Sequence, residues 1–359
     1  MKCNVNNINN TNLVFFISTT ETMTIPRRIE SVDICCGLCW GDEAKGKVIA
    51  HLAKVKDYDF VCRWAGGNNA GHTVYVNGVK YKTHIIPCGI FYGKPSIIGP
   101  ECVIHKESFL QEIDYLRKNG FNIDLIKISE KAHIITNKHI EDDIRMYNKQ
   151  GTTSRGIAPC YRDKYARIGI QAKQEEWTKP YLWDNILYGN VLCEGAQGFW
   201  LDINYGNYPY VTSSTTLPYG ACSLGFSPRL IRNIYGACKI YDTRSGNDPD
   251  FPESLLIDPE LSQIVDCGKE YGTTTGRKRK VNWLNLDKLI DAINISGTTI
   301  LIVSKVDVME IVGIFKLIHN ESIQWFNCLQ SMKKYIDSTL RKKCPLMETI
   351  IYSSSKESL

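Results

Sequence analysis

A glycine-rich segment at residues 41–47, GDEAKGK, has residue types that bind phosphate. Gly41 and Gly46 would let backbone N–H groups approach phosphate oxygens, and Lys47 adds a full positive charge. The next residue is Val48, whereas a standard phosphate loop has a Ser or Thr whose hydroxyl holds magnesium. We therefore predict a phosphate site in which Asp42 supplies the metal contact. A helix cap is the alternative role for Asp42.

Two further polar loops indicate catalysis and phosphate binding. Residues 66–73 combine three glycines with His72, and glycines allow a ligand to approach the backbone closely, so a catalytic role for His72 is favoured over a structural one. Residues 151–156 contain Thr152, Thr153 and Arg155 between glycines. Hydroxyls and a guanidinium suit a phosphate monoester, although a solvated turn is the alternative.

The remaining polar segments suit a base, a ribose and a small acid. Gln197 lies between small residues at 194–198, where its amide could read a base edge, and hydroxyl residues follow at 211–216. Residues 272–280 combine a Thr triplet with Arg and Lys, which favours a dicarboxylate pocket over a nucleic-acid contact. Lys305 and Asp307 end a buried strand, and a carboxylate there can accept from the N–H groups of guanine.

Strands that alternate with helices must position these loops. The apolar patterns predict strands at residues 32–36, 60–64, 96–99, 102–104, 190–193, 232–240 and 299–303, and helices at 47–53 and 109–119. We therefore expect an α/β fold: a single domain, residues 31–359, with a mostly parallel central sheet flanked by helices and a phosphate-type loop. Ligands would bind beyond the carboxyl ends of the strands. Residues 1–30, rich in Asn and Thr, are expected to form a flexible arm.

The composition restricts the class of protein. The chain has 359 residues, of which 43% are hydrophobic and 23% charged, as in ordinary globular proteins. Its 14 cysteines are scattered, which favours reduced thiols and a cytoplasmic location. The longest apolar runs fall short of the roughly 20 residues of a membrane span, so no membrane partner is expected. A net charge of +5 suits small anions and nucleic acid equally.

Taken in order, these segments closely resemble the adenylosuccinate synthetase family. The matching segments are residues 40–43 with 45–47, 69–73, 152–153 with 155–157 and 163–164, 194–198, 208–209 with 211–214, 274–277, and Lys305 with Asp307. The region between 170 and 193 is much shorter than in long members of the family, as in its compact members. Residues 353–356 are a weak match to the family's last guanine-contacting loop.

The resemblance implies a two-step ligation. GTP would phosphorylate the 6-oxygen of IMP, and the amine of L-aspartate would then displace that phosphate, giving adenylosuccinate, GDP and phosphate with Mg²⁺ present. Asp42 would remove the N1 proton of IMP, and His72 would stabilise charge on the transferring group. The implied catalytic residues are Asp42, His72, Lys45 and Gln197.

The resemblance also implies a binding role for residues in every cluster. IMP would contact Asn69, Thr153, Arg167, Gln197 and Thr212, with Arg167 reaching in from the partner of a homodimer. Aspartate would contact Thr275, Arg277 and Arg279. The nucleotide would contact Gly41, Glu43, Lys45, Gly46, Lys47, Gly71, His72, Thr73, Lys305 and Asp307. Mg²⁺ would be held by Asp42 and the Gly71 carbonyl.

Three other functions compete with this one. A related phage-type enzyme makes 2-aminoadenylosuccinate from dGMP and could draw on ATP, but it typically lacks the aspartate found here as Asp42. An ordinary phosphate-loop kinase fits poorly with Val48. A basic nucleic-acid-binding protein would not need Asp42 and His72, so we expect no nucleic-acid partner.

Overall fold

The computed structural model describes residues 28–147, 152–184, 186–272, 276, 278–355, 357 and 359. Its α-helices are α1 (Lys45–Val55), α2 (Lys106–Lys118), α3 (Asn137–Tyr147), α4 (Ile157–Tyr165), α5 (Pro259–Gly268), α6 (Leu286–Ser296), α7 (Val306–Val312) and α8 (Leu329–Lys343). Its strands are β1 (Ile29–Gly37), β2 (Phe60–Gly66), β3 (His72–Val76), β4 (Val79–Thr83), β5 (Ser96–His105), β6 (Ile126–Ser129), β7 (His133–Ile135), β8 (Leu182–Trp183), β9 (Gly189–Glu194), β10 (Ile231–Lys239), β11 (Tyr241–Arg244), β12 (Lys280–Asn285), β13 (Ile300–Ser304), β14 (Lys316–His319), β15 (Ser322–Trp325) and β16 (Thr349–Tyr352).

A ten-stranded sheet forms the centre of the molecule. Its order is β16-β13-β10-β1-β9-β2-β5-β6-β8, and β7 pairs with β5 off this path. Each of these pairings is parallel, which confirms the predicted parallel sheet. The carboxyl ends of β16, β13, β10, β1 and β9 therefore lie side by side, and the loops that follow them converge on one edge.

Helices cover both faces of this sheet because neighbouring residues of its strands point to opposite sides. In β1, Ile34 packs into one apolar core with α5, α6, α7 and α8, whereas Cys35 packs into a second core with α1 and α2. The same alternation separates Leu192 from Cys193 in β9. Strands buried on both faces read as continuous apolar runs, which explains why β1 and β9 could be found from sequence.

The strand β5 differs from its prediction. The sequence predicts two short strands at residues 96–99 and 102–104, but the structure has one strand, Ser96–His105. The register against β2 moves from Arg63↔Ile98 to Ala65↔Glu101, so β5 carries one extra residue at this irregularity. A bulge of this kind lets the strand continue past Pro100, which cannot donate a ladder hydrogen bond. The prediction of two strands is wrong.

Two smaller sheets extend the fold. Strands β3 and β4 form a hairpin, and β11-β12-β14-β15 form a four-stranded sheet. Strand β1 starts at Ile29, two residues before the predicted start of the domain, and residues 1–27 of the predicted arm lie outside the described residues. Among the helices that the structure describes, none has the length and apolar character needed to cross a bilayer.

Candidate active site

The segment between β1 and α1 is a tight loop with left-handed backbone. Gly41, Asp42 and Ala44 have φ angles of 90°, 60° and 67°. Such angles cost a non-glycine residue on the order of 1 kcal/mol, so the surrounding structure must hold the loop in place. Ala44 is the N-cap of α1, and no side chain in the described part of the chain caps this helix. Capping of α1 is therefore not the role of Asp42.

Glu43 holds the loop from within. Its Oε1 accepts hydrogen bonds from the backbone N–H groups of Cys39 (2.8 Å) and Gly41 (2.9 Å), and its Oε2 accepts from Lys45 Nζ (2.8 Å). Glu43 and Lys45 are both buried. The predicted nucleotide-binding residue Glu43 thus shapes the loop, and Lys45 lies inside it with its charge compensated.

The side chain of Asp42 points from the loop toward the guanidinium of Arg279. Its Oδ2 lies 3.0 Å from Arg279 Nε and 3.2 Å from Ser245 Oγ, and 32% of its side chain is exposed. Burial alone would raise the pKa of this carboxyl, but the charges of Arg279, Lys239 and Lys45 lower it overall. Asp42 is therefore ionised at neutral pH, as a base or a metal ligand must be.

The buried carboxylate of Glu270 binds both Arg279 and Lys239. Its Oε2 accepts from Lys239 Nζ (2.8 Å) and Arg279 Nη1 (2.6 Å), and its Oε1 accepts from Tyr241 (2.7 Å). Burial opposes ionisation, yet Lys239 and Arg279 lower the pKa of Glu270 to about 2. Arg279, predicted to bind aspartate, is thus held at a fixed position beside Asp42.

His72 begins β3 and pairs with the carboxylate of Glu194 at the end of β9. His72 Nδ1 is hydrogen-bonded to Glu194 Oε1, and Glu194 Oε2 accepts from the Cys88 backbone N–H (2.7 Å). The other ring nitrogen, Nε2, is buried and has no hydrogen-bond partner among the residues that the structure describes. Burial lowers the pKa of His72 even though Glu194 opposes this shift, so the ring is neutral at physiological pH and Nε2 is free to meet a ligand.

The phosphate-type loop and His72 touch at Gly46. A Cβ at Gly46 would lie 2.9 Å from His72 Cβ, closer than side chains approach each other. A glycine is therefore required for the first turn of α1 to pack against β3. This contact places His72 beside the helix N-terminus, where an anion binds most readily.

Gln197 lies on the other side of the loop. A Cβ at Gly41 would be 3.7 Å from Gln197 Cα. Gln197 Nε2 donates to Thr212 Oγ1 (2.8 Å), and Ser214 Oγ donates to Gln197 Oε1 (2.5 Å). The predicted base-reading amide and the predicted hydroxyl segment thus form one cluster against the loop.

The guanine-type pair lies near the lysine of the loop. Lys47 Nζ donates to Ser353 Oγ (2.7 Å) and the Ser355 carbonyl (3.1 Å). Burial lowers the pKa of Lys47 to about 8, with Asp307 opposing and Lys305 assisting the shift, so both residues of the pair act on Lys47. Lys305 is the N-cap of α7 and donates to the Gly268 carbonyl (2.8 Å).

The other predicted residues lie further along the same loops or outside the described residues. Gly71 and Thr73 flank His72, and Asn69 Oδ1 accepts from the Gly67 N–H (3.2 Å). Thr153 is half-buried just before α4. Arg167 is exposed after α4, and no hydrogen bond or ion pair among the described residues links its side chain to the loop at Gly41. Thr275 and Arg277 lie outside the described residues.

Several residues that shape the site have no role predicted from the sequence. They are Glu194, Cys88, Arg63, Lys239 and Glu270. Arg63 is fully buried and donates to backbone carbonyls, among them His84. One signal was available: Glu194 is a carboxylate that directly follows a buried strand and precedes Gly195. The others join the site through contacts between separate segments, such as that of Lys239 with Glu270, 31 positions away.

Two cations of the basic run at residues 277–280 are paired within the chain. Arg279 binds Glu270, and Lys280 Nζ lies 2.6 Å from Glu253. Lys280 also donates to the Phe251 carbonyl (3.0 Å). These two cations thus serve the site and its supporting loop, which weakens the nucleic-acid alternative.

Comparison with known proteins identifies the family. The family model for adenylosuccinate synthetase matches residues 34–185 and 177–320. The chain belongs to this family. Members of the family are ligases, so the chain is an enzyme of that class. Curated relatives include the adenylosuccinate synthetases of Clostridium kluyveri (40% identical, covering 78% of each chain) and Lysinibacillus sphaericus (36% identical, covering 77% of each chain).

Solved structures agree with the family at the level of the fold. The fully ligated adenylosuccinate synthetase of Plasmodium falciparum superposes with a TM-score of 0.78 at 27% identity, covering 91% of this chain and 98% of that one. The succinoaminodeoxyadenylate synthetase of cyanophage S-2L, bound to dGMP and dATP, has a TM-score of 0.70 at 18% identity, covering 92% of this chain and 94% of that one. The second likeness shows a shared fold alone.

Proposed function

We propose that the chain joins IMP and L-aspartate at the expense of GTP, forming adenylosuccinate, GDP and phosphate. The observation that carries this proposal is the position of Asp42. It is an ionised, partly exposed carboxylate within a phosphate-type loop, 3.0 Å from Arg279. An ordinary kinase loop has no need of a carboxylate at this point, whereas removal of an amide-like N1 proton requires a base held against it.

The proton at N1 of IMP goes to Asp42 Oδ. Since the cations around Asp42 keep it ionised, its oxygens are available to accept this proton. Loss of the N1 proton raises electron density on the 6-oxygen, which then attacks the terminal phosphoryl group of GTP. Gln197, fixed by Thr212 and Ser214, presents its amide to the same base edge.

His72 stabilises the phosphoryl group as it moves. Its Nδ1 bonds to Glu194, and its Nε2 has no partner among the described residues. An anionic oxygen at Nε2 favours the protonated ring, because Glu194 accepts from Nδ1–H while Nε2–H donates to the oxygen. Catalysis then comes from positioning and charge.

Aspartate is held by Arg279, together with the predicted residues Thr275 and Arg277. Glu270 fixes the Arg279 guanidinium through Nη1 and Asp42 lies against Nε, so Nη2 can face a carboxylate of the incoming amino acid. The amine of aspartate then displaces phosphate from the 6-position.

The chemistry of the two predicted ligands fits a magnesium ion. Mg²⁺ prefers oxygen ligands, and the ionised Asp42 carboxylate and the Gly71 carbonyl are of this kind. Val48 is fully buried and has no hydroxyl, so Asp42 takes the place of the usual Ser or Thr. When bound, Mg²⁺ neutralises charge on the β- and γ-phosphates.

We propose a homodimer in which Arg167 enters the partner's IMP site. Arg167 is exposed next to Ile168, which is 72% exposed, and Tyr165, which is 64% exposed. An apolar rim of this kind is typical of a covered surface. Mixing inactive Arg167→Ala with inactive Asp42→Asn subunits should restore part of the activity. No recovery in proven hybrids would contradict the shared site.

We propose a cytoplasmic location, which agrees with the reduced state of the thiols. The thirteen cysteines among the described residues are all free, as expected in a reducing compartment.

A substrate panel tests the proposed reaction. Purified enzyme is given IMP or dGMP, each with GTP or ATP, in the presence and absence of aspartate. We expect turnover with IMP, GTP and aspartate together, and little phosphate release without aspartate. Faster turnover with dGMP would favour the 2-aminoadenylosuccinate alternative, and phosphate release independent of aspartate would favour a kinase.

A further inference from the structure

The thiol of Cys88 lies against the His72–Glu194 pair and takes no part in the reaction proposed above. Cys88 starts the short helical turn Cys88–Tyr92. Its Sγ is 3.7 Å from His72 Nδ1 and 3.6 Å from Glu194 Oε1. The three donor atoms all lie within 4.8 Å of one another. Nitrogen, sulfur and oxygen donors from three separate segments thus converge on one point.

The spacing of these donors suits a tetrahedral ion. With metal–ligand distances of about 2.3 Å for sulfur and about 2.0–2.1 Å for nitrogen and oxygen, tetrahedral ligand atoms lie about 3.4–3.6 Å apart. The two separations from Cys88 Sγ already have this size. The His72–Glu194 hydrogen bond must open to reach the same spacing, because these two atoms lie closer together than ligands of one tetrahedral ion.

The charges also balance. The carboxylate of Glu194 already pairs with the imidazole of His72. Binding of a divalent ion would release the Cys88 thiol proton to solvent and move the His72 proton from Nδ1 to Nε2. One thiolate and one carboxylate then neutralise the two positive charges of the ion, as a buried site requires.

We propose that His72, Cys88 and Glu194 form a binding site for a thiophilic divalent cation of the zinc class, and that its occupation switches the enzyme off. The sulfur and imidazole donors distinguish this site from the oxygen ligands of the magnesium site. Of the three residues, only His72 has measurable exposure, at 6%, so the ion enters past the imidazole. Inhibition follows because an ion on Nδ1 separates His72 from Glu194.

Cobalt provides a direct test of the site. Every protein carries Cys328→Ser, which removes an exposed thiol. Co²⁺ is titrated in saturating Mg²⁺, and the thiolate-to-cobalt absorption band is recorded. We expect one equivalent to give the band in the parent protein and no band in Cys88→Ser. The matched control is Cys160→Ser, a buried thiol bonded to the Ile134 carbonyl, which should retain the band.

Zinc inhibition provides the second readout. Zn²⁺ should inhibit the parent protein reversibly, with recovery on chelation, and Cys88→Ser should need at least about 100-fold more Zn²⁺, since even outer-shell changes cost 10–100-fold in affinity. Absence of the cobalt band in the parent protein, or equal zinc sensitivity in Cys88→Ser, would overturn the proposal. The band requires no turnover, so its result is separate from that of the substrate panel.

Discussion

Asp42 and Glu194 are both ionised carboxylates beside the same loop, but their surroundings are opposite. Asp42 is 32% exposed, and its charge is held by Arg279, Lys239 and Lys45. Glu194 is fully buried, and both of its oxygens are already bonded, one to His72 and the other to the Cys88 N–H. The exposed carboxylate can exchange its partners for substrate or metal. The buried one can act only through the ring that it orients.

The largest effect should come from Asp42→Asn. This change removes the proposed base and a metal contact together, so kcat should fall by at least about 10³-fold. Adenylosuccinate formation at saturating IMP, GTP and aspartate measures it. Ser245→Ala, which removes one hydrogen bond to Asp42, is the matched control and should cost less than about tenfold. Equal activity of Asp42→Asn and the parent protein would remove Asp42 from the mechanism.

Glu194→Gln should lower kcat by about 10²-fold, because the imidazolium of His72 loses its counter-ion. Since Glu194 raises the pKa of His72, its removal lowers that pKa further. The decline of activity with rising pH should therefore begin at a lower pH in the variant. A pH profile of kcat measures this shift.

Glu112→Gln serves as the control for that change. Glu112 is another buried carboxylate, and burial raises its pKa to about 7 while the N–H groups of His84, Ile85 and Ile86 oppose the rise. Its amide variant keeps one acceptor oxygen for the N–H groups of His84 and Ile86 and should leave the position of the decline in activity unchanged. A similar shift in both variants would mean that Glu194 has only a structural role.

The smallest effect on activity should come from Glu270→Gln, which leaves Arg279 and Lys239 without their shared anion. We expect the KM for aspartate to rise about tenfold and the free energy of unfolding to fall by about 3 kcal/mol at pH 7. The pKa of Glu270 is about 2 in the folded protein and about 4.3 in an unfolded chain. Its stabilisation is therefore complete above about pH 5 and is lost as the pH falls toward 2.

Urea titrations at several pH values measure this dependence. The difference in free energy of unfolding between the parent protein and Glu270→Gln should shrink steadily as the pH falls below about 5. A difference that stays constant down to about pH 2.5 would contradict the ion-pair account of Glu270.

Asp42 and Glu194 also differ in how far the sequence predicts their surroundings. The loop at Gly41 and its Asp42 are contiguous with a strand and a helix, so local pattern was sufficient to find them. The His72–Glu194 pair joins residues 122 positions apart, and its geometry depends on β9 lying between β1 and β2. Each of the two segments has a local signal in the sequence, but their contact has none. The family resemblance implies nucleotide binding by Glu43, whereas the closed loop directs its carboxylate inward.

The contact at Gly46 has a mechanical consequence. The first turn of α1 rests on the β-carbon of His72 without any intervening side chain. If α1 moved when an anion bound at its N-terminus, Gly46 would press directly on the side chain of His72. The ring would then turn about its hydrogen bond to Glu194. Nucleotide binding would then be coupled to the orientation of the His72 ring, so that the ring takes its catalytic orientation only when a phosphoryl group is present.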